Sequence, residues 1–109
     1  MTGAATSEGP AVGETVFRVW GEGSGPYGKS WTPVDPETVL NYRSSAGLPD
    51  WNSGTQLTKG TLTNTEGVTV QPATPLHGNP GGLKEYVVPD PKNQIDIKSI
   101  KLKENPPIN

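Results

Sequence analysis

The sequence TVFRVW, residues 15–20, carries the clearest strand signal in this chain. Its residues are mostly β-branched or aromatic and Gly21 follows them, a pattern typical of a β-strand that ends in a turn. Side chains alternate between the two faces of a strand, so Arg18 is predicted to lie on the opposite face from Phe17 and Val19. That face is either an ordinary solvent-exposed surface or one wall of a cleft between two sheets.

A helix is predicted after this region, because Asp35-Pro36-Glu37 combines an N-cap residue, a proline in the first helical position and an acid in the first turn. The residues that then recur at helical spacing are Val39, Tyr42, Arg43 and Ala46. Gly47 and Pro49 are predicted to end this helix after about three turns.

Five further strands are predicted, at residues 29–34, 55–63, 68–73, 83–88 and 95–102, the last with a shift of register between Ile97 and Ile100. The segment from Asn64 to Gly67 is predicted to be a hairpin turn between the strands on either side of it. One helix followed by several short strands favours an α+β fold with two packed, mainly antiparallel sheets and one or two short helices. Residues 1–13 are interpreted as a flexible lead-in, and residues 14–109 as a single loop-rich domain.

The composition predicts a folded domain with a small hydrophobic core. Hydrophobic residues make up 30% of the 109 residues, while glycine and proline contribute 14 and 12 residues. The formal net charge of −2 is too small for the combination of low hydrophobicity and high charge that marks disordered chains. Three tryptophans and three tyrosines supply large apolar surfaces in few residues.

Several classes of protein are excluded or disfavoured. The absence of cysteine excludes disulfides and thiolate metal sites, and a single histidine, His77, leaves few other metal-binding architectures. No apolar run approaches the roughly 20 residues that span a membrane, and no signal peptide is expected. The slightly acidic balance gives no broad electrostatic footprint for nucleic acid, although a local basic patch stays open. His77 lies in a turn-rich loop, where an ordinary polar residue is a better interpretation than a catalytic base.

Three short islands each place one polar side chain among strand-forming or aromatic neighbours: Arg18 in residues 17–21, Ser30 in residues 29–33 and Glu85 in residues 81–86. An arginine can clamp a diphosphate with its planar guanidinium. A serine hydroxyl can orient a carboxylate, and a carboxylate can stabilise positive charge on a sugar ring. Each residue alone also fits an ordinary surface position, but together they predict chemistry at the glycosidic bond of a dinucleotide.

In order and spacing, these islands resemble the arginine–serine–glutamate class of ADP-ribosyltransferases. The segments FRVWG at 17–21, SWTPVDP at 30–36, AGLP at 46–49 and LHGNPGGLKE at 76–85 are similar to small ADP-ribosylating toxin domains at the C-termini of bacterial Rhs and other polymorphic toxins. The resemblance covers most of the chain from Phe17 to Pro107. It implies a small ADP-ribosyltransferase-like fold and a toxin that uses NAD as substrate and needs no metal.

The resemblance also implies roles for individual residues. Arg18 would hold the pyrophosphate and the nicotinamide-side ribose of NAD. Ser30, with Thr32 nearby, would shape the nicotinamide pocket and orient Glu85. Glu85 would hydrogen-bond a ribose hydroxyl and stabilise the oxocarbenium ion as nicotinamide leaves. The expected catalytic residues are therefore Arg18, Ser30 and Glu85, and the expected NAD-binding residues are Arg18, Val19, Ser30, Trp31 and Thr32.

By the same resemblance, the domain is a monomeric effector that is delivered into the cytoplasm of a target bacterium and disables translation there. Elongation factor Tu is the favoured acceptor, structured RNA is an alternative acceptor, and a cognate immunity protein would protect the producing cell. Many protein-modifying members carry Glu or Gln two residues before the catalytic glutamate, where this chain has Leu83. An NAD glycohydrolase is therefore the main alternative, and a non-catalytic β-rich binding module is the second.

Overall fold

The computed structural model describes residues 9–21, 24–39, 42–47, 53–75 and 81–102. Short strands dominate these ranges, and the helical segments within them are shorter still. The elements in chain order are β1 (Thr15–Trp20), β2 (Ser30–Trp31), a 3₁₀ turn (Pro36–Thr38), α1 (Tyr42–Ala46), β3 (Gln56–Leu62), β4 (Thr69–Pro72), β5 (Lys84–Val87), α2 (Pro91–Gln94) and β6 (Ile95–Leu102). No helix in the described part of the chain is long and apolar enough to cross a membrane.

The strands form two three-stranded sheets, ordered β1-β3-β6 and β2-β5-β4. Every strand pairing within the two sheets is antiparallel. The prediction of an α+β domain with two antiparallel sheets and short helices is therefore confirmed. The strands predicted at residues 55–63, 68–73 and 83–88 are also present, each two residues shorter than predicted, whereas the one predicted at 29–34 is reduced to the two residues of β2.

The two sheets join where β1 passes β2. The Phe17 N–H donates to the Thr32 carbonyl at 2.8 Å, and the Thr32 N–H donates to the Phe17 carbonyl at 2.9 Å. In the described ranges this bridge is isolated, so β1 is joined at one position to the residue that follows β2 and forms no ladder with β2 itself. From Arg18, the next residue of β1, the described residues form no further backbone pairing between the two sheets at this junction.

Both faces of β1 carry buried side chains. The first hydrophobic cluster contains Val16, Trp31, Leu62, Tyr86, Val88 and Ile95. The second cluster contains Phe17, Val19, Tyr42 and Leu57. The predicted alternation is confirmed, because Phe17 and Val19 enter the second cluster while Val16, on the face of Arg18, enters the first. Arg18 therefore lies on a strand whose backbone is fixed by packing on both sides.

The predicted single helix of about three turns is wrong. Asp35 caps one turn only: its carboxylate accepts from the Glu37 N–H at 3.0 Å, and Pro36–Thr38 forms a 3₁₀ turn. Val39 is extended, with φ −99° and ψ 121°, and α1 begins at Tyr42. The β-branched pair Thr38 and Val39 loses side-chain freedom in a helix, which favours the break.

The helix α1 ends at the position that the sequence predicts. Gly47 has a φ of +62°, the left-handed conformation that commonly follows the last turn of a helix. The predicted contribution of Pro49 lies outside the described residues.

The predicted hairpin at Asn64 to Gly67 is also wrong, although the turn itself forms. The Glu66 N–H donates to the Asn64 side chain at 2.8 Å, and Gly67 has a φ of +73°. The strands on either side, however, enter different sheets: β3 pairs with β1 and β6, and β4 pairs with β5. Both edges of β3 are thus occupied. Gln94, the last residue of α2, stabilises this turn: its side-chain amide donates to the carbonyls of Asn64 and Glu66 at 2.9 Å each.

The last strand matches its predicted bounds. Lys59 pairs with Ser99 and Gly60 pairs with Ile97, so Lys98 is an extra residue in β6 and the predicted register shift is confirmed as a β-bulge. Sequence reasoning missed α2, although Asp90-Pro91 repeats the Asp-Pro start signal seen at residues 35–36. Of the predicted lead-in, residues 1–8 lie outside the described ranges.

Tyr86 gives a test of this core. Its side chain is fully buried, and its hydroxyl donates to the Glu14 carboxylate at 3.0 Å from each oxygen. Burial and this hydrogen bond raise the pKa of Tyr86 to about 12, above the value of about 10 for an unfolded tyrosine. The tyrosine's contribution to stability is therefore complete below about pH 10 and is lost as the pH rises through about 12.

We expect Tyr86→Phe to lower the free energy of unfolding at neutral pH, because the Glu14 carboxylate loses the Tyr86 hydroxyl and keeps only the Ala11 N–H as a donor among the described residues. Between about pH 10 and about pH 12, the variant should lose less stability than the wild type. Urea unfolding at a series of pH values measures both effects. Tyr27→Phe, at an exposed tyrosine, is the matched control. Parallel losses in Tyr86→Phe and wild type would contradict the proposed hydrogen bond.

Candidate functional site

Arg18, Ser30 and Glu85 lie together at the junction of the two sheets. The Ser30 hydroxyl donates to Oε2 of Glu85, a residue 55 positions later in the chain. Arg18 Nη1 donates to the backbone carbonyl of Ser30 at 3.1 Å. The three residues come from β1, β2 and β5, so their proximity depends on the pairing of strands that are distant in sequence.

Strand register explains why Ser30 faces Glu85. Ser30 is paired with Val87, and Trp31 is paired with Tyr86. Paired residues share a face of the sheet and residues two apart on a strand do too, so Ser30, Val87 and Glu85 are on one face. Trp31 and Tyr86 occupy the other face and are buried in the first cluster. Packing of these two aromatic residues therefore fixes which way the serine and the glutamate point.

The Arg18 guanidinium is held in place by the loop between β1 and β2. Its Nε donates to the Gly25 carbonyl at 2.7 Å, in addition to the bond from Nη1 to Ser30. A Cβ built on Gly28 would lie 2.1 Å from Nη2, so the guanidinium rests directly against the backbone of this glycine. Burial lowers the pKa of Arg18, but an arginine in a protein stays charged at neutral pH. The site therefore contains a fixed, partly buried cation.

Tyr42 of α1 is a site residue that sequence reasoning assigned only to a helix face. It is buried, and burial raises its pKa; the Arg18 charge opposes this shift and the Glu85 charge adds to it. The hydroxyl is therefore neutral at physiological pH and lies in the electrostatic environment of both charged residues. No local signal in the sequence could have found it, because its approach to Arg18 and Glu85 depends on how α1 packs on β1.

Gln71 is the second residue that the sequence did not reveal. It lies directly opposite Glu85 in the β4–β5 pairing, and its Nε2 is 3.3 Å from Oε1 of Glu85. Ser30, Glu85 and Gln71 therefore form a polar row across β2, β5 and β4, with the carboxylate in the middle. The exposed segment TVQP of β4 has no motif around Gln71, so only strand register identifies it.

The other predicted NAD-binding residues, Val19, Trp31 and Thr32, have buried side chains. The Trp31 indole donates to the Gly28 carbonyl at 2.8 Å, and the Thr32 hydroxyl accepts from the Val34 N–H at 3.1 Å. These three side chains serve the core and the local backbone. A ligand at the junction would contact these residues through their main-chain atoms.

The main-chain groups of Val19 are suited to such contact. The N–H and C=O of Phe17 both point toward β2, and residues two apart on a strand direct these groups to the same side. Val19 therefore directs one donor and one acceptor toward β2, where the described residues form no further β1–β2 pairing. The Ser30 carbonyl bonds to the Arg18 side chain instead.

Leu83, two residues before Glu85, is partly buried and packs against the second hydrophobic cluster. Just before it, Gly81 has a φ of +73°, and a Cβ on it would lie 2.2 Å from the Ala73 carbonyl oxygen. This close approach requires glycine and holds the start of β5 against the end of β4. His77, considered as a base from the sequence, lies outside the described residues.

The geometry combines a fixed guanidinium with an oriented carboxylate beside unpaired strand backbone. Such a site can bind an anionic group and stabilise a developing cation next to it. No group of three or more metal-ligating side chains occurs among the described residues. Comparison of the chain with protein-family models, curated proteins and solved structures gave no match. A function for this site is therefore argued from its own geometry.

Gly28 provides a test of the guanidinium position. Gly28→Ala should displace the Arg18 side chain, because the added methyl group occupies the space of Nη2. The Nε–H of Arg18 should then lose its bond to Gly25 and exchange faster with solvent, while the overall fold is retained. ¹⁵N NMR of the arginine side chain measures this exchange. Gly25→Ala is the matched control, since nothing lies within 4 Å of its added Cβ. Equal exchange in both variants would contradict the contact.

Proposed function

We propose that this domain is an ADP-ribosyltransferase that takes ADP-ribose from NAD. The observation that carries the proposal is the meeting of Arg18, Ser30 and Glu85 at the junction of two antiparallel sheets, where the Ser30 hydroxyl bonds to the Glu85 carboxylate and Arg18 bonds to the Ser30 carbonyl. This is the residue set that the resemblance associates with the arginine–serine–glutamate class. The two-sheet α+β architecture is compatible with a small ADP-ribosyltransferase-like fold, which is part of the same proposal.

Arg18 supplies binding energy for the anionic part of NAD. Two of its nitrogens bond to backbone carbonyls, which fixes the plane of the guanidinium before any ligand arrives. A pre-positioned arginine loses little side-chain entropy when it binds the diphosphate. Val19 offers a backbone donor and acceptor nearby, and these groups suit an amide such as the carboxamide of nicotinamide.

Glu85 supplies the electrostatic stabilisation of the reaction. When the glycosidic bond breaks, its electron pair leaves with nicotinamide and positive charge develops on the ribose. A carboxylate held by Ser30 already points in one direction and needs no reorganisation as this charge appears. A nucleophile then forms a bond to the same ribose carbon and gives up its proton, which completes the transfer.

The acceptor and the biological setting are carried over from the resemblance. We propose an antibacterial toxin domain that acts in the cytoplasm of a target bacterium on a component of translation, with elongation factor Tu favoured over structured RNA. The slightly acidic chain supports a protein acceptor, because it offers no broad cationic surface for RNA. A cognate immunity protein that covers the junction of the sheets would block NAD entry in the producing cell.

A second candidate is an NAD glycohydrolase, with water as the acceptor. The packing of Leu83 against the second cluster supports it, because an apolar residue stands where many protein-modifying members of the class that the chain resembles have Glu or Gln. The same site at the junction of the sheets and the same Glu85 would serve both reactions. The difference lies in what reaches the ribose carbon after nicotinamide leaves.

Incubation with labelled NAD tests these proposals. We expect the domain to transfer label to a protein in a bacterial lysate and to release nicotinamide slowly without lysate. Fast nicotinamide release from NAD alone would favour the glycohydrolase. Absence of both label transfer and nicotinamide release would contradict the enzymatic proposal, as would full cellular toxicity of Glu85→Ala, which would favour a binding module.

Glu85→Gln gives the most specific test of the mechanism. The substitution keeps the size of the side chain and removes its negative charge, so turnover should fall by about 10²–10³-fold. NAD binding should persist, because Arg18 is retained. Arg18→Ala should instead weaken NAD binding by about 1–3 kcal/mol. Calorimetric titration beside a turnover assay separates these two effects.

Glu66→Gln serves as the control for charge removal, since Glu66 is an exposed carboxylate on the turn between β3 and β4. It should leave turnover unchanged. Wild-type turnover in Glu85→Gln would show that the carboxylate assignment is wrong, whatever the activity of the domain.

A further inference from the structure

We infer that Gln71 is a positioning residue that fixes the Glu85 carboxylate for catalysis. The inference rests on the proposed function and identifies a residue of the same site on a third strand. The two carboxylate oxygens are bonded from opposite sides: Oε2 accepts from Ser30 of β2, and Oε1 accepts from Gln71 of β4.

The strand pairing places Gln71 within hydrogen-bonding reach of the Glu85 carboxylate. Gln71 is the direct partner of Glu85 in the β4–β5 register, and its neighbours Val70 and Pro72 pair with Tyr86 and Lys84. Directly paired residues have their Cβ atoms roughly 5 Å apart on the same face of the sheet. A slip of one residue would turn Gln71 to the opposite face, but Ala73, just after β4, fixes this register: its N–H donates to the Leu83 carbonyl at 2.7 Å, and its carbonyl accepts from the Gly82 N–H at 2.9 Å.

The chemistry of the two groups fixes the orientation of the amide. An ionised carboxylate only accepts hydrogen bonds, so Gln71 must present its NH₂ group to Oε1 and leave its amide oxygen free for other contacts. With one donor on each oxygen, rotation of the carboxylate about its terminal bond breaks at least one hydrogen bond. Glu85 is therefore oriented before the substrate binds, which is the condition for effective electrostatic stabilisation.

Gln71 also takes the place of a polar neighbour that the chain lacks on β5 itself. Leu83, the residue on the same face two positions before Glu85, packs against the second hydrophobic cluster. The polar contact to Oε1 of Glu85 comes instead from Gln71 on the adjacent strand β4. The positioning group is thus supplied across the sheet and not along the strand.

Gln71→Ala tests the inference in nicotinamide release from NAD, with the full chain and with lysate present. We expect kcat to fall about tenfold, as for the loss of one hydrogen bond to a charged group, while KM for NAD changes less than about twofold. Thr69→Ala is the matched control, because Thr69 lies on the same face of β4 and is equally exposed. A kcat for Gln71→Ala equal to that of wild type and Thr69→Ala would overturn the inference.

Gln71→Glu gives a second, independent readout. A second carboxylate beside Glu85 favours protonation of the pair, so the acid limb of the pH–rate profile should move to higher pH. Among the described residues, the ionisable groups near this carboxylate, Arg18 and Tyr42, do not change charge in acid. An unshifted acid limb would contradict the contact, even if Gln71→Ala were unstable.

These outcomes separate the inference from the proposed function. A wild-type domain without NAD turnover would remove the proposed function itself and the inference with it. An active wild type whose Gln71 variants keep its kcat and pH profile would remove only the inference.

Discussion

The pair of hydrogen bonds between Phe17 and Thr32 is the constraint on which the rest of this structure depends. Among the described residues, it joins the edge strand β1 of the first sheet to the second sheet, which is centred on β5, at a single position. The next residue of β1, Arg18, donates a side-chain hydrogen bond to the Ser30 carbonyl. This side-chain bond stands where a continued ladder would have a backbone hydrogen bond. The candidate site occupies the place where two sheets stop pairing with each other.

The small core and the site are parts of one arrangement. Trp31 and Tyr86 are almost completely buried on one face of the second sheet, and the same strands carry Ser30 and Glu85 on the other face. Because the side-chain period of a strand is two, burial of the aromatic residues determines the exposure of their polar neighbours. In a chain with few aliphatic residues, these two aromatic side chains thus stabilise the sheet and also direct the side chains of Ser30 and Glu85 to its other face.

Local sequence patterns predicted the strands well and the connections between them poorly. β1 and β6 have their predicted bounds, since the strand-forming residues and the alternation of both strands, and the glycine after β1, are signals that act within a few positions. The hairpin prediction was wrong because β1 and β6 occupy the two edges of β3, and no local pattern indicates pairings between such distant segments. The long helix was wrong because a good Asp-Pro start does not overcome the extended preference of the β-branched residues after it.

The sequence by itself determined which residues could do chemistry: Arg18, Ser30 and Glu85 stand out by residue type and by their strand-forming neighbours, and their roles stay predictions. Only the tertiary structure decided that these residues meet, that Gln71 and Tyr42 join them, and that the guanidinium rests on Gly28. It also decided that the side chains of Val19, Trp31 and Thr32 are buried. The physical reason is that contacts across paired strands depend on register between segments far apart in the chain, and this register is set by burial of the whole core.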